Sequence, residues 1–461
     1  MSRIFISAAH KSSGKTTVSI GLCAALVARG QSVQPFKKGP DYIDPMWLGL
    51  AAAHPCYNLD FYTMAQDEIM STFSRHDQLA SISLVEGNKG LYDGLDLDGS
   101  NSNAALAKLL QTPVILVIDA RGMTRGIAPL ILGYQQFDPA VKIAGVILNQ
   151  LGGQRHESKL RAVIEHYTDV SVVGAVHHDS RLEIIERHLG LMPSNESDSA
   201  RAKIQQLGQA VAEQVDLDQV IHIAGTAPPL ATPPAGKTAT TEPDIRIGIA
   251  RDAAFGFYYP DDLDALKQAG AELVFFDTLN DSQLPQVDGL FIGGGFPETQ
   301  MPLLEKNELM RTSIQHAIEN GLPCYAECGG LMYLSRSITW QGQTHQMVGV
   351  LPGDVVMHTR PQGRGYIRLT PTASAPWPIN DAPAQAICGH EFHYSALENL
   401  PGNLEYAFDV QRGTGIDGKH DGIVYKNVLA NYSHLRNTRQ SLWIRGFINH
   451  VRNCKTQANT R

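Results

Sequence analysis

The stretch IFISAAHKSSGKTTVSIGLCAAL, residues 4–26, sets the architecture of the first half of the chain. β-branched and aromatic residues give a strand, a Ser/Gly loop follows, and the apolar positions after it give a helix. From Ala9 to Thr16 the spacing is that of the phosphate-binding loop G-x-x-x-x-G-K-[ST], with alanine in place of the first glycine. That chemistry needs Gly14 for a close backbone approach to an anion and Lys15 to reach terminal phosphates. It needs the Thr16 hydroxyl for a magnesium ion, while Ser12, Ser13 and Thr17 complete the loop and the helix start. The helix aims its positive end at the same point. An ordinary Gly/Ser loop is the alternative, and the strand before and helix after argue against it.

Around this unit, short β-rich runs alternate with helical patterns: RIFISAA, SVQPFK, ISLVEG, PVILVIDA and IAGVILNQ. Continuous apolar strands separated by helices imply a parallel sheet covered on both faces. The Pro/Thr/Ala-rich stretch GTAPPLATPPAGKTATTEPD, residues 225–244, interrupts the pattern and reads as an extended linker, because proline fixes φ and removes amide donors. Alternation then restarts with IRIGIAR, ELVFFD, GLFIGGG and PCYAE. The expected organisation is α/β throughout: an N-terminal domain over 1–224, the linker, a second domain over 245–448 and a tail over 449–461.

Composition narrows the function classes. With 43% hydrophobic and 18% charged residues the chain reads as a soluble globular protein. A net charge of -8 without a basic block argues against nucleic acid as a partner. No apolar run reaches the roughly 20 residues that cross a bilayer, so no membrane partner is expected. The opening MSRIFISAAHKSSGKTT lacks the layout of a signal peptide. Six scattered cysteines fit reduced thiols, and a cytoplasmic location is expected.

Three further segments belong to the edge that carries the phosphate loop. In VEGNKGLYDG, residues 85–94, Glu86 ends a strand where open α/β sheets bind ligands, so a magnesium contact near Lys15 is expected. PFKKGPDYIDP, residues 35–45, places Lys37, Asp41, Tyr42 and Asp44 among turn-forming residues. The expectation is a shaped loop edge carrying Asp41 and Asp44, not a helix face. Asn149 closes the strand AGVILN and is a candidate for reaching an adenine, with a simple turn as the alternative.

In PCYAECGGLMYL, residues 323–334, Cys328 falls between an apolar strand and a helix. This is the arrangement of elbow nucleophiles. A helix N-terminus is expected to lower the thiol's pKa. Gly329 and Gly330, with Gly294 and Gly295 of FIGGGFPE, can present backbone amides to an oxyanion. The base should be a distant histidine: His434 is placed best, with His390 and His393 as competitors. Cys324 lies inside the strand and reads as core.

These motifs, with GFYYPDDLDAL (256–266), GHEFHYS, NLDFYTM (58–64) and VQPFKKGPDYIDP, resemble the cobyrinic acid a,c-diamide synthase family from about residue 3 to residue 448. The resemblance implies a dethiobiotin-synthetase-like ATPase domain followed by a class I glutamine amidotransferase domain. It implies ATP- and glutamine-dependent amidation of tetrapyrrole carboxylates, with ATP and Mg2+ as cofactors. Carried over, Cys328 is the nucleophile and His434 its base; Ser12 to Thr17 and Asn149 bind ATP; Thr16, Glu86 and Asp41 hold the metal. Lys37, Asp41, Tyr42 and Asp44 serve the carboxylate substrate, and Gly294, Gly295 and Gly329 the oxyanion. His434 is followed by Leu435 and Arg436, so the acid that three-member triads carry two residues later is missing. Related synthetases pair subunits, which implies a homodimer. The scaffold also serves sirohydrochlorin and sirohaem, so the macrocycle stays open. A nucleotide-switch or metal-insertion ATPase with a silent second domain, and a tetrapyrrole carrier, are the readings from other classes.

Overall fold

The computed structural model describes residues 2–184, 186–187, 190–196, 199–230, 242–381 and 385–459. The chain divides into two compact units, Met1–Phe61 with Ala65–Gly236, and Tyr62–Met64 with Lys237–Arg461. Residues 231–241 of the expected linker lie outside the described residues. No described helix is long and apolar enough to cross a membrane.

The first unit alternates strand and helix: β1 (Ser2–Ala8), α1 (Lys15–Ala28), β2 (Val33–Lys38), α2 (Ile43–Ala52), β3 (Tyr57–Leu59), α3 (Gln66–Asp77), β4 (Ile82–Glu86), α4 (Asn103–Leu109), β5 (Val114–Asp119), α5 (Ile127–Phe137), β6 (Ile143–Leu151), α6 (Gln154–Tyr167) and β7 (Ser171–His177). The seven strands form a parallel sheet in the order β3-β2-β4-β1-β5-β6-β7. The apolar runs are buried because helices cover both faces, as continuous hydrophobic strands require. Helix α7 (Ala200–Gln214) lies against α1 at close range. A Cβ on Gly21 would come within 2.4 Å of Val211, and one on Gly208 within 2.8 Å of Ala24, so both glycines are needed for that approach. Helix α8 (Leu217–Gly225) is the last element before the expected linker.

The register sets the chemistry. Lys37 pairs with Glu86 across β2 and β4, and Ile6 pairs with Glu86 across β1 and β4. The carboxyl ends of the three strands therefore converge beside the phosphate loop.

The second unit is built on a nine-stranded mixed sheet. Strands Ala271–Phe276, Ile245–Ala250, Gly289–Ile292, Cys324–Glu327 and Val428–Asn431 run parallel, in that order. Strands His420–Tyr425, Glu405–Arg412, Gly363–Pro371 and Ile387–His393 continue the sheet antiparallel. Side chains alternate along Cys324–Glu327: Cys324 and Ala326 enter one apolar cluster, and Tyr325 enters another with Trp443 and Phe447.

Two sequence expectations change here. Residues 449–459 do not form a separate tail, because the helix Trp443–Asn459 runs through the expected boundary. Trp443, Phe447 and Val451, four apart, bury one face of it. Asp44 is not on a loop edge but in the first turn of α2, where Pro45 is tolerated because early helix amides lack partners anyway.

Candidate active site

In the first unit, five side chains meet at the end of the sheet. Lys15 Nζ donates to Glu86 Oε1 at 2.8 Å, Thr16 Oγ1 donates to the same oxygen at 2.7 Å, and Lys37 Nζ reaches it at 2.9 Å. Lys37 also pairs with Asp44 Oδ2 at 2.5 Å, and Thr16 Oγ1 donates to that oxygen at 3.2 Å. Glu86 is fully buried, and its Oε2 has no hydrogen-bond partner among the described residues. A buried carboxylate oxygen left without a donor is costly unless a ligand completes it. Together with the neighbouring Thr16 hydroxyl and Asp44, this oxygen fits a small hard cation.

The two aspartates here are shifted in opposite directions, although burial raises both. Asp41 is pushed up to about 7 by burial and then by the nearby Asp44. Burial also raises Asp44, but Lys37 and Lys15 outweigh it and hold Asp44 below the usual range. Asp41 Oδ1 accepts the amides of Ile43 and Asp44 at 2.9 and 3.2 Å, and its Oδ2 lies 3.9 Å from Lys37. Asp41 thus braces the start of α2, and Asp44 is the aspartate beside Thr16. Tyr42 is buried at the same helix start.

The phosphate loop itself is shaped by backbone. Ser12 has φ 64° and Gly14 φ 79°, and Ser13 Oγ donates to His10 O at 2.8 Å. Thr17 lies in the first turn of α1. Asn149 Nδ2 donates to Ser13 O at 2.9 Å and would meet a Cβ on Gly14 at 2.1 Å. Its amide braces the loop, and only glycine fits at position 14.

In the second unit, Cys328 sits at the junction of the strand Cys324–Glu327 and the helix Gly329–Leu334 with φ 46° and ψ -98°. A non-glycine residue there costs about 1–3 kcal/mol and persists when the surroundings over-determine it. The Cys328 amide is fixed to Asn431 O at 2.7 Å. The glycine turns meet around it: a Cβ on Gly329 would lie 2.9 Å from the Gly295 amide, and one on Gly294 would lie 2.6 Å from His434 Cε1. Gly294–Gly295 is itself held by antiparallel pairing with Phe255–Phe257.

The thiol does not behave as the helix N-terminus alone suggests. Burial, then the charges of Glu298 and Glu327, push Cys328 up, so the resting group is a protonated thiol. Cys324, fully buried, is pushed up by burial as well and belongs to the core.

His434 is buried three residues beyond Asn431, and its Nδ1 lies 3.3 Å from Glu327 Oε2. Glu327 Oε1 accepts from the Tyr325 hydroxyl at 2.7 Å and the Leu435 amide at 2.9 Å. Sequence reading missed Glu327 because it precedes the cysteine and looks like the last strand residue. Of the two competing histidines, His390 stacks on His434 with centroids 4.8 Å apart and faces the Tyr259 hydroxyl at 3.3 Å. Burial, then the neighbouring His434 and Arg436, keep His390 neutral. His393 Nδ1 turns to Ser395 O at 2.8 Å, and its ring stacks on Tyr432.

Comparison with known proteins agrees with both halves of this geometry. Residues 4–191 match the CobQ/CobB/MinD/ParA nucleotide binding domain, and residues 246–441 match the CobB/CobQ-like glutamine amidotransferase domain. The chain is 47% identical over 441 residues to the cobyrinate a,c-diamide synthase of Magnetococcus marinus, covering 94% of this chain and 93% of that one. It is 43% identical to that of Methanosarcina acetivorans, with coverages of 94% and 92%. The Listeria innocua protein of the same name is 39% identical, with coverages of 94% and 96%. At these identities, over nearly the whole chain and both domains, the protein belongs to the cobyrinate a,c-diamide synthase family.

Proposed function

We propose that the protein is a ligase that amidates the a and c acetate carboxylates of cobyrinic acid, using ATP and the amide nitrogen of glutamine. A carboxylate is a poor acyl electrophile and must be activated. In this reading one carboxylate oxygen attacks the terminal phosphorus of ATP, ADP leaves, and an acyl phosphate forms. Ammonia then attacks the acyl carbon, and the carbon–oxygen bond to phosphate breaks to give amide and orthophosphate. Lys15 and Lys37 neutralise charge on the phosphoryl group, while Gly14 lets the backbone approach it. Thr16, Glu86 and Asp44 would hold Mg2+, which when bound offsets phosphate charge.

Ammonia comes from the second unit. Cys328 Sγ attacks the glutamine carboxamide carbon while its proton passes to His434, and the amides around Gly294, Gly295 and Gly329 receive the oxyanion. His434 then gives that proton to the departing amide nitrogen as the carbon–nitrogen bond breaks, so that ammonia leaves, and water cleaves the thioester to glutamate. Because the resting thiol is protonated, removal of its proton by His434 is part of the reaction and not a preformed condition.

The observation that carries this reading is the strained elbow at Cys328, set among glycine amides and an imidazole–carboxylate pair, in a chain that also holds a P-loop with an unsatisfied buried carboxylate. Cys328→Ala should lose glutamine-dependent amidation of cobyrinic acid and recover it with ammonium. An ammonium-unresponsive variant, or amidation of sirohydrochlorin with cobyrinic acid untouched, would refute it.

A further inference from the structure

The position two residues after His434, where three-member triads carry their acid, is Arg436, and its guanidinium is committed to Asp261 at 2.6 Å. We propose that Glu327 takes the acid's place as a positioning residue, orienting His434 from the nucleophile's own strand. The proposal rests on the glutamine-cleaving role of Cys328 given above.

Strand geometry explains how a residue adjacent to the nucleophile can reach the base. Side chains alternate, so Glu327 leaves the sheet on the face of Tyr325, opposite Cys324 and Ala326. Glu327 pairs in register with Asn431 on the neighbouring parallel strand, and His434 follows that strand by three residues. The carboxylate thus arrives under the imidazole.

Its orientation is fixed by its partners. Glu327 is 2% exposed, and two donors converge on Oε1, the Tyr325 hydroxyl and the Leu435 amide. Two hydrogen bonds on one oxygen immobilise the carboxyl group and decide which oxygen faces the histidine. Oε2 is left to face His434 Nδ1 at 3.3 Å. A carboxylate acceptor puts the ring proton on Nδ1, which leaves Nε2 with the lone pair needed to take the thiol proton. The Cε1 corner between the two nitrogens abuts Gly294, so that edge of the ring is turned toward the glycine turn. His390 stacks on the ring from one side and faces Tyr259, so it does not compete for the carboxylate.

Glutamine at 327 tests this with little change of shape. Its carbonyl still accepts from Tyr325 and Leu435, but its NH2 would face Nδ1 and reverse the tautomer. For Glu327→Gln the expected result is a loss of glutamate-release kcat of about 10²–10⁴-fold with KM nearly unchanged, its upper end being the loss seen when a triad acid is made neutral. Ammonium-dependent amidation and the thermal midpoint should stay at wild-type values. In a His434→Ala background the same substitution should add nothing, because Glu327 acts through the histidine. Glu327→Asp, which keeps the charge but withdraws it by one methylene, should fall between. If Glu327→Gln fails to fold, the aspartate variant decides the case: a kcat loss of about tenfold supports the proposal. Glutamate release within about threefold of wild type in the variant that folds overturns it, as does a loss shared equally by ammonium-dependent amidation. Cys328→Ala is the separating control. Glutamate release that survives Cys328→Ala sinks the nucleophile assignment, whereas loss there with wild-type rates in Glu327→Gln sinks this proposal alone.

Discussion

Gly294→Ala is a one-carbon perturbation whose consequence can be worked from the structure. A Cβ at residue 294 would lie 2.6 Å from His434 Cε1 and 3.3 Å from Phe257. Carbon atoms settle at about 3.5–4.0 Å, so the imidazole must retreat by about 1 Å or the glycine strand must move the same amount. The strand is pinned by its pairing with Phe255–Phe257, so the ring gives way. A misplacement of about 1 Å at a reacting group costs about 100-fold in rate, or about 2.7 kcal/mol of barrier. Overpacking should also cost about 1–3 kcal/mol of stability, which a thermal melt reads separately. Glutamate release from glutamine is the primary assay, and ammonium-driven amidation is the control. The predicted pattern is a roughly 100-fold loss in the first with the second intact. Glutamate release within about threefold of wild type would show that His434 does not need its place against the glycine turn.

Glu86→Gln should abolish ATP-dependent amidation while leaving glutamate release, because Lys15, Lys37 and Thr16 all converge on its Oε1. It should also lower stability by about 3 kcal/mol by removing the charge that faces the buried Lys37, read by chemical denaturation. Cys324→Ala, a core truncation, should lower the thermal midpoint by several degrees and leave glutamate release at wild-type rates, about 1–2 kcal/mol being the usual cost of such a change. His390 is held neutral in the fold, so the unfolded chain binds the extra proton. Its contribution to stability is therefore full above the ordinary imidazole pKa and falls as pH drops through about 6.5, by up to about 1.4 kcal/mol per pH unit. Chemical denaturation across that range should show a shallower slope in His390→Gln.

Local spacing carried much of the architecture. The runs read as strands in residues 2–151 and 245–327 are strands, and most of them are buried on two faces, which demands continuous apolar stretches; the edge strand Ala271–Phe276 is the half-exposed exception. The elbow at Cys328 was legible from its glycines and the helical pattern beyond. What spacing could not supply were relations set by long-range register. Glu327 meets His434 only because the strands Cys324–Glu327 and Val428–Asn431 are neighbours, about a hundred positions apart in sequence. Asn149 turns inward to Ser13 for a similar reason, and nothing in AGVILN announces it. That Asp44, and not Asp41, lies beside Thr16 depended on where α2 begins, and a Pro–Gly-rich segment hides a helix start well. The continuation of the last helix was readable, since Trp443, Phe447 and Val451 keep a helical spacing across residue 449.

The most direct measurement labels both halves of the reaction at once. Cobyrinic acid carrying oxygen-18 in its carboxylates is incubated with the enzyme, ATP, magnesium and amide-nitrogen-15 glutamine, and phosphate and product are weighed by mass spectrometry. The account predicts one oxygen-18 in the orthophosphate for each amide formed, and nitrogen-15 in that amide. Unlabelled phosphate, or a macrocycle returned with its carboxylates intact, would contradict it.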